Sequence, residues 1–397
     1  MIKKIINKVK RLFVLCREQG VLSLWSYIKR RYIFKFSTFY HQKDSLACAE
    51  AGVSGVSVGQ NMSDDFIRRI TVLYNSSKGI SADDSKNPQS GEMWNYIVEE
   101  HFSELHEAFV GMDEKAVRAI LSEPDKSDIF YGFDIMTKCF TKSFDSEGKR
   151  KAHAVKCFDD LLRLAEFLGA VRLYNPGSVP FDLPQPEVTL EAIEKKIGVT
   201  LDFPNPYPRE NGLVLPSGVM SYRVPQAIYQ AWRIKQLTKG IKNPRVLEIG
   251  AGLGRTAYYA RLFGIKDYTI VDIPSTLVSQ AYYLGACLGE ERVVLHGERT
   301  RKDGVKIMPP EAFFAGDQEY DLIVNCDSLT ELNHEIAEDY WKKISSICPM
   351  FLSVNHEVNG FRILDFIEGS KVIKSADRYP YWMRHGYVEE FIQFKTS

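Results

Sequence analysis

The pattern of apolar and polar positions changes character about halfway along the chain. After residue 240, short apolar runs alternate with longer stretches of helical spacing. Val246-Leu247-Glu248-Ile249, Tyr268-Thr269-Ile270-Val271, Arg292 to Leu295, Asp321-Leu322-Ile323-Val324 and Met350-Phe351-Leu352-Ser353-Val354 read as strands covered on both faces. The segment from about Thr256, Ser275 to Leu288, and the stretch through Tyr340 and Ile344 read as helices. Gly386 to Phe394 reads as a last edge strand. Strands alternating with helices predict an α/β fold with a doubly wound, mainly parallel sheet.

Before residue 200 the spacing is mostly helical. One helix is predicted from Met93 to about Leu121, with Trp94, Ile97, Val98, Phe102, Leu105 and Phe109 in register. Another runs from about His153 to Leu168. Residues 45–90, rich in Ser, Gly, Asp and Asn, are expected to be mainly loop. Eight of the 17 prolines lie between Pro176 and Pro216, which predicts an extended border. Ser221 to Ile234 reads as a turn and a lead-in helix; Tyr222 and Arg223 belong either to the core or to the cleft beyond it. The expected divisions are 1–35, 36–200, 201–240 (linker and lead-in helix) and 241–397 (nucleotide-binding domain).

Composition changes this picture little. The 397 residues are 45% hydrophobic and 26% charged, which is ordinary for a globular protein. The net charge of +0 gives no reason to expect nucleic acid as partner. The 7 cysteines are scattered without a C-x-x-C pair, so no zinc or redox motif is suggested and a reducing cytoplasm is expected. No apolar run is long enough to span a membrane. The zero total hides an asymmetry: residues 1–35 hold ten Lys/Arg and one acid. Ile2, Ile5, Ile6, Val9, Leu12, Phe13 and Cys16 share one helical face there. This basic amphipathic segment either packs on its own protein or contacts an anionic membrane surface peripherally, at its inner face.

Chemistry concentrates in Glu248-Ile249-Gly250-Ala251-Gly252-Leu253-Gly254-Arg255. Glycines let a strand turn sharply into a helix and let the backbone approach a ligand. A dinucleotide fingerprint, G-x-G-x-x-G, requires a third glycine at 255, where this chain has Arg255. The order acid-x-G-x-G-x-G instead resembles motif I of class I S-adenosylmethionine-dependent methyltransferases. Asp272 ends the second strand, where an acid accepts hydrogen bonds from ribose hydroxyls. Glu298, just past the expected third strand, is a candidate for the adenine amino group.

The resemblance narrows when five elements are taken together: Tyr222-Arg223 ahead of Ala231-Trp232-Arg233-Ile234; Leu247 to Gly252; Tyr268 to Pro274; Asp327-Ser328-Leu329-Thr330-Glu331; and Ser353-Val354-Asn355-His356-Glu357. Over residues 205–397 the chain looks like the sugar O-methyltransferase family of bacterial glycan gene clusters. That resemblance implies a Rossmann-like, mainly parallel seven-stranded sheet with a mostly helical N-terminal extension. It implies S-adenosylmethionine held by Glu248, Gly250, Ala251, Gly252, Gly254, Asp272, Ile273, Glu298, Asp327 and Ser328. Tyr222, Arg223 and His356 are candidates for a sugar or glycan acceptor, which the 36–200 region is expected to cover. A hydroxyl nucleophile calls for a general base. His356 is the first candidate, because its ordinary pKa lies near 6.5 and it follows a strand end. Glu357, Asp327 and Glu331 are the alternatives, and His334, close after Glu331, is a substitute for His356. Asp327, Glu331 and Glu357 also make an oxygen set of the kind that holds Mg²⁺, although nothing in the spacing requires a metal. Two other readings stay open: the same fold acting on another small-molecule acceptor, and a cofactor-binding scaffold without turnover.

Overall fold

The computed structural model describes residues 49–59, 62–77, 91–172, 184–299, 301 and 303–395. The basic segment at 1–35 lies outside them. Among the described residues, β1 (Ala51–Val53), β2 (Asn211–Leu215) and β3 (Gly218–Met220) form a small antiparallel sheet. The main sheet contains β4 (Arg245–Ile249), β5 (Asp267–Val271), β6 (Val293–Leu295), β7 (Val305–Met308), β8 (Leu322–Cys326), β9 (Met350–His356), β10 (Ile373–Pro380) and β11 (Tyr387–Phe394). Their order is β10-β11-β9-β8-β4-β5-β7-β6. Pairs from β9 through β6 are parallel, whereas β11 runs antiparallel to both β9 and β10.

The α/β, mainly parallel expectation holds, with eight strands rather than seven. β10 is almost entirely exposed, so it carries no apolar run to mark it. β7 is four residues long and lies between β5 and the strand expected as third. That expected strand, β6, is pushed to the sheet edge.

Period-2 alternation divides the core in two. Val246, Tyr268, Leu322 and Leu352 face a core shared with the N-terminal helices. Leu247, Ile249, Ile323 and Phe351 face a second core containing Tyr340 and Trp341. The first of these cores draws residues from before 200, from 201–240 and from after 241.

In the N-terminal half, the single helix expected from Met93 to Leu121 is three: Gly91–His101, Ser103–Val110 and Glu114–Ser122. Met112 adopts φ +54, and the Asp113 side chain accepts from the N–H groups of Lys115 and Ala116, restarting the helix. The loop expected over 45–90 contains β1 and a helix, Asp64–Ser77. Phe66, Ile67, Ile70, Leu73 and Tyr74 form its buried face. Flanking Ser and Gly diluted that spacing in the sequence. The helix lies against the Pro274–Leu288 helix, where Gly285 makes room. A Cβ on Gly285 would sit 2.3 Å from the Phe66 ring.

Candidate active site

The C-terminal ends of β4, β5 and β8 open into a cleft. Gly250 follows β4 at φ +72, and a Cβ there would lie 2.1 Å from Ser328 Oγ. Gly252, at φ +55, has no atom within 4 Å of its would-be Cβ, so its open side belongs to the cleft. One strand over, Asp272 lines the same cleft. Its Oδ1 accepts from the Ile273 N–H at 2.9 Å and its Oδ2 from Gln280 Nε2 at 2.6 Å. Burial nevertheless dominates and pushes the Asp272 carboxyl up to about 7. Glu248, at the cleft floor, accepts from Tyr268 Oη at 2.8 Å and is likewise raised to about 7 by burial.

The other end of the cleft is organised by Asp327. It adopts φ +60, a conformation that Asp tolerates better than most residues and that often marks a functional position. A buried amide network holds this turn: Asn355 Nδ2 donates to Asn325 Oδ1 at 2.9 Å, and Asn325 Nδ2 to the Ile249 carbonyl at 3.0 Å. Asp327 Oδ2 accepts from Arg384 Nη1 at 2.6 Å, and its Oδ1 from Tyr387 Oη at 2.8 Å. Arg223 stands 3.9 Å away and His356 Nε2 3.7 Å away. Glu331, four residues on, lines the cleft and accepts from Trp94 Nε1 at 3.1 Å. Burial, then the charge of Asp327, raises its carboxyl to about 7.

The structure thus brings Glu248, Gly250, Ala251, Gly252, Asp272, Ile273, Asp327, Ser328, Glu331 and Arg223 to one cleft. Others stand elsewhere. Gly254 caps the Arg255–Leu262 helix, and its would-be Cβ lies 3.1 Å from Leu284. Tyr222 sits behind Arg223 and accepts from its Nε at 2.9 Å. Glu357 is paired with Arg378. His356 stands beside Asp327, edge-on to the Tyr387 ring, and does not line the cleft itself. Glu298 is held by Arg69 of the Asp64–Ser77 helix at 2.6 and 2.8 Å, so it serves a clamp rather than an adenine contact. The cause is β7: the residue that follows the strand beside β5 and lines the cleft is Pro310, not Glu298.

The oxygen set expected for Mg²⁺ is not assembled, because Glu357 is occupied by Arg378. Asp327, Glu331 and His356 do converge, with ligand atoms within 4.8 Å of one another. That set fits Mg²⁺ poorly: one donor is nitrogen, and two guanidinium groups already flank Asp327.

Several cleft residues escaped the sequence reading. Trp94, Gly132 and Phe133 come from the N-terminal half, and Tyr381, Arg384 and Tyr387 from the connection between β10 and β11 and the start of β11. Only the tertiary fold brings these segments together. In the sequence, Arg255 stands out only as the residue where a dinucleotide fingerprint has glycine. It is buried and pairs with Asp134 at 2.6 Å and Glu210 at 3.0 Å. It therefore ties the lead-in region and the N-terminal half to the glycine turn.

No family model and no curated protein matches the chain. Solved structures that are similar to it include the CcbJ methyltransferase from Streptomyces caelestis, at 13% identity over 43% of this chain and 90% of that one, with a TM-score of 0.33. Magnesium protoporphyrin IX methyltransferase from Synechocystis PCC 6803, with S-adenosylmethionine bound, is 11% identical over 43% of this chain and 83% of that one, TM-score 0.31. The methyltransferase domain of bacterial CtHen1 is 11% identical over 42% of this chain and 97% of that one, TM-score 0.32.

Proposed function

We propose that the chain is an S-adenosylmethionine-dependent O-methyltransferase acting on a hydroxyl of a sugar or glycan. The observation that carries the reading is the position of Asp272, whose carboxylate shares one cleft with the Gly250–Gly252 turn. A cleft residue beside it supports the fit: Thr276 Oγ1 is buried without a hydrogen-bond partner. Such an atom is costly unless a ligand satisfies it. Ile273, Pro310, Leu332 and Tyr340 give this end apolar walls suited to a flat purine. A nicotinamide dinucleotide is disfavoured on two grounds. Arg255 is locked in ion pairs where that fingerprint needs glycine, and the strand beside β9 is reversed, unlike a dinucleotide fold's parallel run.

When bound, S-adenosylmethionine supplies a methyl carbon on a positively charged sulfur. The chain's own residues would orient the acceptor hydroxyl and take its proton. Glu331 is the base in this reading. It lines the cleft, and its proton affinity near neutrality suits a general base at physiological pH. Arg223, Arg384 and Tyr387 hold Asp327 in place beside it. Trp94, Phe133 and Tyr387 offer flat faces, and the charged groups offer hydrogen bonds. A polyhydroxylated ring, apolar on its faces and polar on its edges, matches that mixture.

Calorimetric titration with S-adenosylhomocysteine and, in parallel, NAD⁺ tests the reading. The expected result is binding of the first alone, weakened about 10–100-fold by Asp272→Ala as charge-assisted hydrogen bonds are lost. Binding of NAD⁺, or of neither, overturns it. Methyl transfer to sugar nucleotides and glycans then tests the acceptor.

A further inference from the structure

Away from the cleft, three unlike donor groups converge in the N-terminal half. A ring nitrogen of His101, an Asp128 carboxylate oxygen and Cys139 Sγ all lie within 4.8 Å of one another. His101 ends the Gly91–His101 helix, Asp128 follows the short Pro124–Lys126 turn, and Cys139 lies in the Lys138–Phe144 turn. Each is oriented by its surroundings. Asp128 Oδ1 accepts from Thr137 Oγ1 at 2.9 Å and from the Cys139 N–H at 3.0 Å. That leaves Oδ2 facing His101 Nδ1 at 3.5 Å and Cys139 Sγ at 3.3 Å. The His101 ring lies against Tyr131, with centroids 3.7 Å apart and planes at 21°.

We propose that His101, Asp128 and Cys139 form a binding site for a tetrahedral divalent cation of zinc type, with its fourth position open to water. The spacing fits. With Zn–S near 2.3 Å and Zn–N or Zn–O near 2.0–2.1 Å, tetrahedral ligands stand about 3.3–3.6 Å apart. The two separations to Asp128, 3.5 and 3.3 Å, fall close to that range without rearrangement. The donor set selects the metal class: thiolate and imidazole favour zinc, whereas Mg²⁺ and Ca²⁺ take oxygen. Thr137 and the Cys139 N–H fix the carboxylate as outer-shell partners of a metal ligand do. Cys139 is exposed, which gives the ion a route from solvent. The thiol proton leaves to solvent as the sulfur–metal bond forms. The site would pin the end of the helix whose Trp94 reaches the cleft.

The test is a titration of the full chain, stripped with a chelator, using Co²⁺ alone and then Zn²⁺ as competitor. The expected result is one Co²⁺ with the intense visible bands of tetrahedral coordination and a sulfur-to-cobalt charge-transfer band, both displaced by Zn²⁺. Cys139→Ser removes the charge-transfer band, and His101→Ala removes tight binding. Thr137→Val, which keeps all three ligands, weakens affinity about 10–100-fold. Circular dichroism checks that each variant is folded. Absence of the bands, an octahedral spectrum, or a charge-transfer band of equal affinity in Cys139→Ser overturns the proposal.

Discussion

Asp272 and Glu331 are buried carboxyls in the same cleft, each raised to about 7, so for both a rising pH sets stability against function. Asp272 has a folded pKa above its ordinary 3.8, so the fold favours its protonated form. The stability it contributes is complete below about pH 3.8 and is lost as the pH rises through about 7. Asp272→Asn, neutral throughout, lacks that loss. Its stability relative to the parent should therefore rise between about pH 5 and 8, as read from denaturation midpoints. Ligand affinity should move the other way. An ionised carboxylate is the better acceptor for ribose hydroxyls, so S-adenosylhomocysteine should bind the parent more tightly at about pH 8 than 6, and Asp272→Asn equally at both. For Glu331, a base must be ionised to act, so turnover should rise with pH through about 7. Glu331→Gln should lower kcat by about 10²–10⁴ and abolish that limb. A Glu331→Gln enzyme of undiminished kcat would move the base to another group. The place of Asp272 in the cleft was readable from the sequence because it follows directly from a strand end. Glu331 was one of several candidates, because desolvation is set by neighbours such as Trp94, 237 positions away.

At the scale of elements, the glycine turn and the strands beside it carry the site. Gly250→Ala would force a side chain onto Ser328 Oγ at a φ of +72. Loss of S-adenosylhomocysteine binding, with the fold retained by circular dichroism, is the expected outcome. Arg255 at the head of the following helix is buried between two carboxylates. Arg255→Met leaves both uncompensated and should cost about 3–5 kcal/mol in chemical denaturation. Apolar runs revealed β4, β5, β8 and β9 because both faces of these strands are covered. They did not reveal β10, which is exposed, or the place of β7 between β5 and β6. Pairing order is a property of the sheet, and with β7 beside β5 Glu298 stands outside the cleft lining.

The whole molecule closes the cleft with parts distant in sequence. Trp94 and Phe133 come from the N-terminal half, and Arg384 and Tyr387 from the far edge of the sheet. The Trp94 hydrogen bond favours the ionised form of Glu331. Trp94→Phe keeps the ring and removes the donor, so the pH limb of kcat should shift to higher pH. An unchanged limb would show that this contact does not tune the base. The N-terminal half shares a core with one face of the sheet, anchored by Phe66 against Gly285. Among the described residues no helix is long and apolar enough to cross a membrane.

By itself, the sequence determined the fold class, the glycine turn and the acid at the end of β5, because each depends on local spacing: apolar period, positive φ and the turn from strand to helix. The tertiary structure decided which candidates meet. It seated Glu331 in the cleft under Trp94, set His356 beside Asp327 rather than in the lining, tied Glu298 to Arg69 and Glu357 to Arg378, and buried Arg255 between two acids. Burial and charge pairing arise from segments brought together across hundreds of residues, and no local pattern encodes them.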